Sequence, residues 1–126
     1  MMTLEIDRPG QFRRYNNNKG YLMTVSVNNK GEFDYHLFYA EELGTEQVIP
    51  SKYLPRLYME GEANSRFEAY SNTHIDCKRS DIDDLIHEHE LYLEGLKVAK
   101  ETIAEFKSLI TKLESEKIEY LKNATQ

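Results

Sequence analysis

The sequence predicts an α+β fold, in which a small N-terminal antiparallel β-sheet is followed by a long C-terminal amphipathic helix, coiled-coil-like in its pattern, or by a helical hairpin. Three observations predict it. Residues 21 to 39 hold two period-two runs around a turn; from Ile82 onward apolar side chains recur every three or four positions; and all three prolines and every glycine except Gly95 precede Asp76. On this basis the chain divides into a β-rich part, residues 1–76, and a helical oligomerisation or interaction segment, residues 77–126.

In the β-rich part, residues 21 to 27 alternate, with Tyr21, Met23, Val25 and Val27 on one face. Asn28, Asn29, Lys30 and Gly31 then supply residue types that tolerate positive φ, and Phe33, Tyr35, Leu37 and Tyr39 line one side of the next run, so the two runs read as a β-hairpin. Residues 66 to 70 give a further strand, and residues 11 to 15 and 47 to 49 shorter ones. Residues 51 to 54, before Pro55, read equally as a turn or a short helix.

The helix has a specified start: Ser80 can cap, Asp83 sits three residues on, and Asp81, Asp83 and Asp84 oppose the positive end of the helix dipole. With Ile82 at heptad position a, Ile82, His89, Leu96, Ile103, Ile110 and Lys117 occupy a, and Leu85, Tyr92, Ala99, Phe106, Leu113 and Tyr120 occupy d. Ile86, Leu93 and Leu109 widen this stripe beyond a bare two-stranded seam. A run of about 42 residues at 1.5 Å each would reach about 63 Å, longer than a small domain, so the far half is expected to project or to pair. Gly95 leaves a break into a hairpin open, because a single glycine costs only about 1 kcal/mol relative to alanine. The predicted assembly seam is Leu96, Ile103, Phe106, Ile110 and Leu113. Asp81, Asp83, Asp84, Glu88, Glu90 and Glu94 precede the first lysine of the helix, Lys97, so an antiparallel partner would set lysines against acids.

The 40% hydrophobic and 30% charged content fits a folded chain with a long solvated helix. The formal net charge of -6 argues against general nucleic-acid binding, which needs lysines and arginines to neutralise phosphates. Cys77 is the single cysteine, so no intramolecular disulfide forms and a reducing interior suits the chain. Neither a secretory signal nor a run of about 20 apolar residues is present, and a cytoplasmic location without membrane contact is the expectation.

Two constellations carry candidate chemistry. His87, Glu88, His89 and Glu90 suggest a metal, but residues two apart on a helix diverge; Asp83, His87 and Glu90 share a face and are too few for a structural site, so no metal is expected. His89 at an a position reads instead as a polar residue that sets register or pH sensitivity. Arg13, Arg14, Tyr15, Lys52, Tyr53, Arg56, Arg66 and Tyr70, with Asn16, Asn17, Asn18 and Lys19, mix cations, rings and amides in the β-rich part. Such a set suits a protein hot spot, or an anion carrying a ring, such as a nucleotide-type ligand. Equally, it is the ordinary surface of a sheet with arginines paired to nearby glutamates. Cys77, beside Lys78 and Arg79, and the histidines His36 and His74 assemble no nucleophile, base and orienting group.

These readings converge on a non-enzymatic, cofactor-free interaction protein that forms a homo-oligomer through its helix and offers its sheet to a protein target. By analogy of size and acidity, a small bacterial or phage-encoded inhibitor of a host protein fits. The alternative is an oligomeric binding protein, or sponge, for a nucleotide-type small molecule.

Overall fold

A computed structural model of the chain describes residues 2–46, 49–60, 66–70 and 82–123. Four strands, β1 (Thr3–Arg8), β2 (Phe12–Asn16), β3 (Tyr21–Val27) and β4 (Phe33–Tyr39), form an antiparallel meander in sequence order. The hairpin between β3 and β4 runs in unbroken register from Tyr21 opposite Tyr39 to Val27 opposite Phe33. Its turn is built as the sequence predicts. The Asn28 side-chain oxygen accepts from the amides of Lys30 and Glu32, and Gly31 takes the positive φ of 76° that closes the loop. Strand β1 was not foreseen, because its mixture of charged and apolar residues has no clean alternation. A bulge between Leu4 and Ile6 interrupts its pairing with β2, and Glu5 joins Arg14 and Asn16 there.

Two 3₁₀ turns follow, Ala40–Leu43 and Ser51–Tyr53, the second resolving the open choice at Pro55 in favour of a short helix. A separate two-stranded sheet then pairs β5 (Arg56–Glu60) with β6 (Arg66–Tyr70). The expected strand at residues 47 to 49 falls largely outside the described residues, as do Cys77, His74 and the predicted helix cap at Ser80 and Asp81.

The helix is continuous. Helix α1 (Ile82–Ser115) passes through Gly95 without a break, and α2 (Lys117–Asn123) extends it, the Glu116 amide donating to both Lys112 and Leu113 carbonyls at the junction. Position d turns inward: Ala99, Phe106 and Leu113 are buried against Tyr15, Tyr21, Met23, Val25, Phe33, Tyr35 and Leu37 of the sheet, Tyr92 is buried beside the Tyr53 ring, and Tyr120 meets Phe33 edge-on at 5.6 Å. Of the two expectations for the far half of the helix, that it projects or that it pairs, projection is therefore corrected: it packs on the chain's own sheet. Residues 98 to 121 lie on the sheet, while Ile82 and Ile86, in the first turns, stay exposed. The sheet supplies a wide apolar face that the last six turns can cover, and burying Phe106 alone is worth about 1.5–3 kcal/mol.

Two contacts lock the helix in place. Gly95 lies against the turn at Ser51–Tyr53, where a Cβ would overlap the Tyr53 carbonyl oxygen and come within 2.8 Å of its carbon. The glycine is thus a close-approach residue inside a continuous α1. Farther along, the fully buried Asn17 amide donates to the Thr102 hydroxyl at 2.6 Å and its oxygen accepts from the Lys19 and Tyr21 amides. Lys19 adds ion pairs with Glu101 and Glu105.

Candidate functional site

The eight residues singled out in the β-rich part do not form one patch. Strand alternation separates Arg13 and Tyr15, on the helix side of β2, from Arg14 on the opposite face. Lys52 and Tyr53 belong to the second 3₁₀ turn, where the Tyr53 ring packs on Tyr92 at 5.0 Å. Arg56 stacks over Tyr39 at the start of β5, and Arg66 and Tyr70 both bond Glu68 on β6. Most of these cations are already engaged: Arg13 with Asp7, Arg14 with Glu5, Arg56 with Glu42 and Arg66 with Glu68. Asn16 and Asn17 are buried and bonded within the chain, which removes them from any base-reading role.

Arg13 keeps a distinct setting. Its Nε donates to Asp7 at 3.0 Å, its Nη1 to the Tyr15 hydroxyl at 3.2 Å, and its guanidinium lies 4.5 Å from the Tyr120 ring centre. Burial opposes its charge, but these hydrogen bonds outweigh burial and hold the guanidinium more firmly protonated than usual. Two adjoining cavities flank it. One of about 200 Å³ is lined by Arg13, Leu113, Glu116, Glu119 and Tyr120. The other, of about 310 Å³, runs along β1 past Leu4, Tyr15, Leu109 and Lys112. Glu116 and Glu119 make the first of these a mixed-charge groove rather than an anion cradle.

The second candidate surface is on the helix. Because position d is committed to the sheet, the neighbouring column is left outside: Ile82, Ile86, Leu93 and Leu96 are 70%, 52%, 47% and 42% exposed. With the exposed His89 they fall at spacings of four, three, four and three, which is a second heptad seam on the same helix. Lys100, Ile103, Lys107 and Ile110 continue it over the sheet, Ile103 and Ile110 half-buried. Of the predicted assembly residues, then, Leu96 is exposed and Ile103 and Ile110 lie at the edge. Phe106 and Leu113 are spent in the chain's own core and cannot belong to a seam between copies.

Among the described residues, no group of three or more His, Cys, Asp or Glu side chains is placed to hold a metal ion, and no helix is long and apolar enough to cross a membrane. His36 is exposed on β4. Sequence reasoning missed Gly95 and Thr102 as contact residues. A small residue and a hydroxyl on the sheet-facing side of an otherwise apolar helix were the available signals. Comparison of the chain with protein-family models, curated proteins and solved structures finds no match.

Proposed function

We propose that the chain is a non-enzymatic interaction protein that assembles with further copies of itself through antiparallel helix pairing and presents its sheet to a protein target. One observation carries this reading, the solvent-facing heptad seam Ile82, Ile86, His89, Leu93 and Leu96 on a helix whose other seam is already satisfied by the sheet. Four large aliphatic side chains in register on one stripe lose water only if a second apolar stripe covers them. The acidic residues beside them, Asp83, Glu90 and Glu94, suit a partner stretch bearing lysines, as residues 97 to 112 of this chain do.

Light scattering on the full chain tests the reading. The expected mass is a multiple of 14.8 kDa that falls to the single-chain value in the variant Leu93→Asp with Leu96→Asp, with circular dichroism unchanged because both side chains are outside the core. A single-chain mass for the unaltered protein at every concentration overturns it.

A second reading, a site for a nucleotide-type ligand, is supported by the groove in which Arg13, Lys112, Tyr15 and Tyr120 meet. It ranks below the first because Glu116 and Glu119 line the same groove and repel phosphate.

A further inference from the structure

In an antiparallel helix pair, the a positions of one helix meet the d positions of the other, so a seam running 82, 86, 89, 93, 96, 100, 103 can pair with itself only in registers one heptad apart. Resting on the assembly just proposed, we infer that two copies of this chain pair with Leu93 of each against Leu96 of the other, around a two-fold axis between Glu94 and Gly95.

This register places Ile86 against Ile103 and Leu93 against Leu96, twice each by symmetry, giving four apolar layers. Lys100 lays its aliphatic stem over His89 of the second copy and directs its ammonium group toward that copy's acidic first turns, while Lys107, whose ammonium lies 5.9 Å from the Phe67 ring of its own chain, brings its stem opposite Ile82. The flanking positions decide between registers. Here Glu90 of each copy stands beside Lys97 of the other, twice over. A slip of one heptad toward the N-terminus sets Glu90 on Glu90, and a slip the other way sets Lys97 on Lys97. Parallel pairing would stack Asp83, Asp84, Glu88, Glu90 and Glu94 on their own copies. Among the described residues neither Glu90 nor Lys97 forms an ion pair within its own chain, so both charges remain available to a second copy. The helix face opposite the core thus carries a charge pattern that is complementary to itself only when reversed.

Cysteine cross-linking in a Cys77→Ser background reads the register directly. Ile86→Cys is mixed in turn with Leu96→Cys, Ile103→Cys and Ile110→Cys chains, targets spaced about 10 Å apart along the helix. Cross-linking of residue 86 to residue 103 is expected to dominate. Dominance of either neighbouring pair, or strong self-cross-linking of Ile86→Cys as a parallel pair would give, overturns the register. A charge exchange supports the same reading with no demand on the core. Glu90→Lys or Lys97→Glu alone should weaken association about tenfold at low salt, and the two together should restore it. A dimer by light scattering that shows neither the cross-link nor the restoration removes this register while leaving the assembly standing. A single-chain mass throughout removes both.

Discussion

At the scale of single residues, Gly95 inverts an ordinary expectation. Glycine to alanine within a helix usually stabilises by about 0.5–1 kcal/mol, because alanine loses less backbone entropy on folding. In this helix the added methyl would overlap the Tyr53 carbonyl oxygen, a backbone atom that moves only if the whole 3₁₀ turn moves. Gly95→Ala is therefore expected to destabilise by about 1–3 kcal/mol in urea denaturation; a gain in stability would show that the turn does not sit against the helix. Tyrosine burial sets a second expectation. Burial raises the Tyr21 and Tyr35 phenols well above their ordinary range, and a hydrogen bond from Tyr35 to Glu114 adds to the effect. In the unfolded chain these phenols ionise near pH 10, so above that value the folded chain holds more protons than the unfolded one. Their contribution to stability is fully present below about pH 10 and is lost as pH rises further through the folded values. Unfolding free energies measured in steps from pH 7 to 11 should be level up to pH 9 on account of these groups and fall beyond 10. A level profile to pH 11 would contradict the burial of both rings.

At the scale of the element, the helix carries two heptad seams that serve different neighbours. The inward one, Tyr92, Ala99, Phe106 and Leu113, holds the Ser51–Tyr53 turn through Tyr92 and the sheet through the other three, and the outward one, Ile82, Ile86, Leu93 and Leu96, remains in water. Truncating each should have separable effects. Phe106→Ala removes a fully buried ring and should cost about 3–5 kcal/mol in chemical denaturation, at any protein concentration. Leu96→Ala should leave single-chain stability within about 0.5 kcal/mol and act only on association, because its side chain lies outside the core. If both variants lost stability alike, the division of the helix into two faces would be mistaken. The split follows from width. A sheet face about four strands across buries one stripe and its immediate flanks, not a full cylinder.

At the scale of the whole molecule, the cations of the β-rich part are distributed over both faces and both sheets, and this governs what a ligand could use. Were a nucleotide to bind, its thermal shift should disappear in Arg13→Ala, whose guanidinium borders both cavities, and persist in Arg14→Ala, which lies on the far side of the sheet. The reverse pattern would relocate the site to the open sheet face. The sequence by itself determined the fold class, the hairpin from Tyr21 to Tyr39 and the helical periodicity after Ile82, because alternation of two and recurrence at three and four are local consequences of backbone geometry; that the helix runs through Gly95 without a break was decided by the structure. The sequence also contained both seams, since Ile86 and Leu93 stand beside the a positions in plain view. Only the tertiary structure decided which seam turns inward, that β1 joins the meander, and that Gly95 and the pair Asn17 and Thr102 are contact points. Those outcomes depend on which surfaces meet in the folded chain, the Asn17 and Thr102 pair across 85 residues of it, and a periodic pattern fixes that a face is buried without fixing what buries it.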